Sequence, residues 1–218
     1  MKKATINILN LIWLIFVFYL RQRGIISNAF FIIALLAGMV VISAISIRST
    51  LKSRSDMIKR LKENSAKALS DPDGYISEIN DGIEKSRGYE RDYLILHKAN
   101  TLAKLGRDSE ACFTLKDHRP LYLDKDNLGV YYNNLLGLLI KQNRIGEAKS
   151  IVDEYYKTIL EPAIDSSIGY SILINLASLK QREGKTYEAL ELLEKAKYKT
   201  SDEKIKENIE EIKSKLQN

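Results

Sequence analysis

A single cysteine, Cys112, stands among 218 residues, so no disulfide can form within the chain and nothing argues for an oxidising compartment. Histidine is almost as scarce: His97 and His118 are the only two, and they form no Cys/His/Asp cluster at metal-ligand spacing. No Gly-rich phosphate cradle occurs. With three prolines and 11 glycines the chain has little of the punctuation that linkers and low-complexity segments carry, and most of it is expected to fold. Cys112 follows Ala111 in an apolar pattern and reads as a packed, inert thiol. His97 reads as a surface or binding-face side chain rather than a general base. No catalytic, cofactor or metal site is expected, and hence no enzyme.

Charge, too, is missing from two long stretches. None falls between Ala4 and Leu20 or between Ile25 and Ile47, and each run approaches or exceeds the ~20 residues that cross a hydrocarbon core. Residues 1–47 therefore predict two transmembrane helices, about 4–20 and 25–47, joined by the turn Arg21-Gln22-Arg23-Gly24. A cleaved signal peptide fits poorly, because the first run ends in bulky and charged residues and a second run follows at once. Lys and Arg resist translocation. The turn carries two of them, fewer than the flank after Ile47, which places both termini in the cytoplasm of a multi-pass plasma-membrane protein. The Lys/Ile/Asn-rich composition points to a bacterial one. A short turn sets Asn7 near Gly38 and Asn10 near Ala34; the amides either hydrogen-bond across this small-residue pair or sit at a shallow depth without partners.

From Arg48 to Ser70 the chain turns basic, with Arg48, Lys52, Arg54, Lys59, Arg60, Lys62 and Lys67 against Asp56 and Glu63. This is expected to be a juxtamembrane helix, either a stalk close to an anionic leaflet or a solvated face that carries the topology signal.

Residues 71–218 repeat themselves. Segments beginning at Asp92, Gly129 and Tyr170 align so that Glu110-Ala111, Glu147-Ala148 and Glu188-Ala189 coincide, as do the turn residues Gly106, Asn143 and Gly184. Each reads as two amphipathic helices around a turn. A small alanine lets the two helices cross closely, and Gly or Asn can take the left-handed backbone that stops the first. On the columns Ile95/Tyr132/Leu173, Ala99/Leu136/Ala177, Leu102/Leu139/Lys180, Ala111/Ala148/Ala189 and Leu115/Val152/Leu193, residues 92 to about 200 resemble the tetratricopeptide repeat family. The chain departs from the family in spacing, with 37 residues from Ala111 to Ala148 and 41 from Ala148 to Ala189 against the usual ~34. It also departs in lacking the repeat tryptophan and in placing Lys98 and Lys180 in normally apolar columns. Longer connections near Pro120 to Asn127, where Asp126 or Asn127 would cap the next helix, and near Leu160 to Ser167 account for the spacing. A helix from Pro72 with Ile76, Ile79 and Ile83 on one face precedes the repeats, and a final helix with Ile205, Ile209, Ile212 and Leu216 in one stripe caps them.

The expected fold is thus all-α: a transmembrane helix pair followed by an α-solenoid of repeat pairs. The resemblance implies a groove, lined by the first helix of each pair, that receives a peptide or protein. By matching columns its residues are His97, Asn100 and Lys104; Asn133, Asn134, Gly137 and Lys141; and Ile174, Asn175, Ser178 and Arg182. Asparagine amides suit an extended backbone. The lysines and arginine either meet carboxylates or serve their own helix ends. The function expected is a membrane-tethered adaptor or scaffold, with the lipid bilayer and an unidentified protein or peptide as partners. The alternatives are an assembly subunit in which the helix pair is the essential part, and an outside-facing envelope-assembly factor. The basic excess lies mainly beside the apolar runs, so no nucleic-acid partner is expected.

Overall fold

A computed structural model describes the backbone of residues 3–217 and the side chains of Ile8 and of residues 11–217. The protein is all-helical, with no strand among the described residues, and divides into two compact units, Met1–Ala66 and Lys67–Asn218.

The first unit holds α1 (Lys3–Gln22) and α2 (Asn28–Glu63). Gly24 takes φ 69° and breaks α1, and Ser27 caps α2 by accepting the Phe30 amide at 3.4 Å. α2 passes without interruption from the apolar run into the basic stretch, because nothing from Arg48 to Glu63 is a proline or glycine that would end a helix. The two helices run back along one another. Phe18 meets Phe31 edge-on at 5.2 Å, Arg21 lies over the Phe31 ring at 4.6 Å, and Trp13 reaches Ala34, donating its Nε1–H to the Ala34 carbonyl at 3.3 Å. A Cβ on Gly38 would stand 1.9 Å from that indole nitrogen, so the small pair Ala34/Gly38 receives Trp13. The side chains of Asn7 and Asn10, expected there, lie outside the described residues. Among the residues whose side chains are described, one helical stretch, Asn28–Ser70, is long and apolar enough to cross a membrane, and the described apolar part of α1 is Leu11–Gln22.

The second unit opens with a helical turn, Lys67–Ser70, then α3 (Pro72–Lys85), α4 (Tyr89–Lys104), α5 (Asp108–Lys116), α6 (Lys125–Lys141), α7 (Ile145–Tyr155), α8 (Gly169–Arg182), α9 (Thr186–Tyr198) and α10 (Glu203–Gln217). Asp71 caps α3 on the Gly74 amide at 3.0 Å, with Pro72 in the first turn. The cap of α6 is Asp124, which accepts the Asn127 amide at 2.9 Å; Asp126 and Asn127, expected as caps, lie inside the first turn. α7 does not give way to a loop at Leu160. It continues through a π-helical segment, Tyr156–Leu160, and a further turn, Glu161–Ala163. Much of the 41-residue spacing is therefore helix with extra residues wound in, where a connection from Leu160 was expected.

The pairs α4/α5, α6/α7 and α8/α9 turn in one way. Gly106, Asn143 and Gly184 take φ 75°, 58° and 76°. The next residues, Arg107, Arg144 and Lys185, donate their amides to the carbonyls of Leu102, Leu139 and Lys180, each at 2.9 Å. This closes carbonyls that a helix end otherwise leaves open. Ala111, Ala148 and Ala189 are all fully buried, as close crossing requires. Lys180 is accommodated in its apolar column because Glu188 meets it at 2.9 Å and Glu183 at 3.8 Å. α10 closes the far end, setting Ile209 against Leu173, Ala177, Ala189, Leu193 and Ala196, with Ile205, Ile212 and Leu216 alongside.

Candidate functional site

The residues expected to line a groove sit on α4, α6 and α8, the first helices of the three pairs. The structure brings their amides together as a ladder. Asn134 Nδ2 donates to Asn100 Oδ1 at 2.6 Å, joining α6 to α4. Asn175 Nδ2 donates to Asn133 Oδ1 at 2.8 Å and to the Asn133 carbonyl at 3.1 Å, joining α8 to α6, and Asn133 Nδ2 donates to Ser171 Oγ at 3.0 Å. Gly137 makes this approach possible: a Cβ there would lie 3.1 Å from Asn175 Nδ2, tight enough to push the amide away.

Asn133 is 4% exposed and its amide is spent between helices. It holds the neighbouring pair and offers nothing to a ligand, and Asn175 is half-buried with its donor committed to the same contact. Asn100 and Asn134 are half-buried. Their mutual bond uses one donor and one acceptor, so an amide NH2 on Asn100 and a carbonyl on Asn134 keep capacity. That combination matches one donor and one acceptor of an extended backbone.

Each cation at the helix ends has its own situation. Lys141 Nζ meets Asp108 Oδ2 at 2.5 Å, from α6 to the start of α5. Arg182 donates to Asn143 Oδ1 at 3.2 Å, reaching the preceding turn. Lys104 is exposed at the end of α4. Ser178 donates to the carbonyl of Ile174 on its own helix at 3.0 Å. His97 is half-buried, its Nε2 at 2.8 Å from the Tyr75 hydroxyl on α3. Burial lowers its pKa, and the charge of Lys104 adds to the effect.

Several partners in this network carry no sequence signal of their own. Tyr75, Asp108 and Ser171 are identified only when neighbouring helices are set side by side, and so is the bond of Asn143, a turn residue in the sequence, to Arg182. The same holds for Asp92, which is 3% exposed and accepts both His118 Nε2 and the Tyr122 amide at 2.8 Å. It ties the loop 117–124 back to α4, and Tyr131 adds a hydroxyl bond to the His118 carbonyl at 2.7 Å. Cys112 is fully buried, and burial pushes its thiol pKa up, away from reactivity. A repeated clasp marks the second helices. Arg107 grips Glu110 through Nε and Nη2 at 2.6 and 2.7 Å, and Arg144 grips Glu147 likewise at 2.6 and 2.8 Å. Arg144, with Lys116, holds the Glu147 carboxyl down to about 2. Among the described residues no group of three or more His, Cys, Asp or Glu side chains is placed to hold a metal.

Compared with known protein families, with curated proteins and with solved structures, the chain matches none.

Proposed function

We propose that the protein is a membrane-tethered adaptor: α1 and α2 form a transmembrane pair, and the second unit is a short solenoid of tetratricopeptide-like pairs that binds a peptide or protein at the cytoplasmic face. One observation carries the reading. The same chain exposes a helical stretch long and apolar enough to cross a membrane and buries most of the apolar columns of three pairs that share one turn geometry. An exposed run of that length needs lipid, and repeated pairs build extended binding surfaces. Tethering raises the effective concentration of a bound partner beside a membrane client without tight intrinsic affinity. The charge count favours cytoplasmic termini, and the composition a bacterial plasma membrane. Asn100, Asn134 and Lys104 form the part of the face best suited to a ligand. Asn133, Asn175 and Ser178 support it from between the helices, Lys141 and Arg182 lie exposed at the helix ends beside it, and His97 borders it.

Photo-crosslinkers placed at Asn100 and Asn134 in full-length protein in intact cells test this. The expected result is a discrete captured partner in the membrane fraction, absent when the crosslinker sits at Lys149 on α7. Recovery of the chain as a freely soluble species, or equal capture from Lys149, overturns it.

The burial of the Asn133 and Asn175 amides favours a second reading, in which the helix pairs are a stiffening element of a larger membrane complex assembled through α1 and α2. Full assembly by a variant lacking residues 67–218 would select that reading.

A further inference from the structure

α2 does not end where its uncharged run ends. Of its 36 residues, those from Asn28 to Ile47 carry no charge and rise ~30 Å, the thickness of a hydrocarbon core. Arg48 to Glu63 extends the same helix by a further ~24 Å. A headgroup layer adds only about 5–7 Å on each side, and the field of an anionic surface fades within about 8–10 Å. A helix that leaves the hydrocarbon unbroken therefore carries its last turns past both.

The charges are sorted along this axis. Arg48, Lys52 and Arg54 occur with no carboxylate from Arg48 to Ser55, whereas from Asp56 to Glu63 the cations Lys59, Arg60 and Lys62 are accompanied by Asp56 and Glu63. Two of the farther cations engage their own helix: Lys59 meets Glu63 at 3.7 Å, and Arg60 Nε donates to the Asp56 backbone carbonyl at 3.3 Å. Arg48 and Lys52 are exposed. Carboxylates are thus absent from the layer where lipid phosphates would stand and return only beyond it, the arrangement that like-charge repulsion from an anionic leaflet favours.

Resting on the membrane reading above, we propose that α2 stands through the leaflet as a post, with Arg48, Lys52 and Arg54 as a collar on anionic phospholipid headgroups and Lys59 to Glu63 held in water past them. The juxtamembrane stretch does not lie along the surface.

Full-length protein on a Cys112→Ser background, spin-labelled one site at a time in phosphatidylcholine vesicles containing phosphatidylglycerol, gives the test. Labels at Ile32, Leu36 and Val40 should collide with oxygen and be shielded from a water-soluble nickel chelate, and chelate access should rise steadily from Arg48 to Glu63. With Met57, which the protein already buries, left out, a 3.6-residue oscillation between Lys52 and Glu63 in which the chelate-shielded sites collide with oxygen shows a helix lying flat in lipid and overturns the post while leaving the tether standing. Water access at Ile32, Leu36 and Val40 overturns the tether and the post together. In a second arm, the preference for spin-labelled phosphatidylglycerol over phosphatidylcholine should fall about fivefold per residue on Arg48→Gln and Lys52→Gln. It should fall less than about twofold on Lys59→Gln and Lys62→Gln. Equal losses from the two pairs overturn the collar.

Discussion

The two units use the same side chains to opposite ends. In the first, Leu11, Ile15, Ile33 and Leu36 are more than half exposed; in the second, Leu102, Leu136, Leu139 and Ile172 are buried to 1% exposure or less. Apolar surface in water is costly in either case, so the second unit answers that cost with its own packing and the first leaves it to a surrounding medium. Composition alone does not separate the two regions; the arrangement of their apolar residues does. Continuous runs leave no polar face to turn outward, and interrupted runs leave one on every helix.

The contrast breaks most sharply under truncation. Leu136→Ala, at a fully buried position, should cost about 2–5 kcal/mol, read as a lowered urea midpoint of the full-length protein in detergent. Leu36→Ala, at a side chain 55% exposed, should leave that midpoint within about 0.5 kcal/mol while weakening partition into vesicles. Equal midpoint losses from the two would mean that the units are not satisfied differently.

Where the first unit does pack, it depends on Trp13 beneath Gly38. Gly38→Leu should expel the indole at a cost of about 1–3 kcal/mol. Trp13 is the only tryptophan, so its emission reports the change directly, while the urea midpoint of the second unit should stay put. In the second unit Asn133→Ala removes the Oδ1 acceptor of Asn175, which keeps only the backbone carbonyl of residue 133, and the donor to Ser171 Oγ, a loss of about 1 kcal/mol. The urea midpoint should fall more for Asn133→Ala than for Asn100→Ala, whose amide is less buried.

Smaller effects sharpen the comparison among the turns. Gly106→Ala and Gly184→Ala place a Cβ at φ 75° and 76° and should each cost about 1 kcal/mol, whereas Asn143→Gly should shift the thermal midpoint little. Smallest is the acid response of His97. Its folded pKa lies below the ordinary value near 6.5, so the neutral ring is the form that the fold favours. Its contribution is whole above about pH 6.5 and is lost as pH falls through the folded pKa. His97→Gln should flatten that part of the stability profile.

What was legible in the sequence was whatever a single helix or turn decides for itself. The left-handed turn residues, the buried alanines and the C-terminal isoleucine stripe follow from local spacing, and from them the all-helical class. The candidate site was legible only as a set of positions. That Asn133 and Asn175 bond each other, that Asp108 meets Lys141 and that Tyr75 meets His97 depend on how pairs 22 to 42 residues apart are set beside one another, which no local pattern encodes. The π-helical segment of α7 is hidden for a related reason. Winding an extra residue into a helix changes its register without changing the residue types along it, so the added length reads as loop.

The amide rungs run from each pair to the next: Asn100 to Asn134, then Asn133 to Asn175. Order in such an array is handed on from neighbour to neighbour. Loosening α10 would therefore unzip the protein from its last pair inward, with α8 and α9 fraying while α4 and α5 still hold. α10, which packs on the helix that carries Asn175 and Ser178 but supplies no residue expected to touch a ligand, thereby becomes a place where binding could be dimmed by degrees.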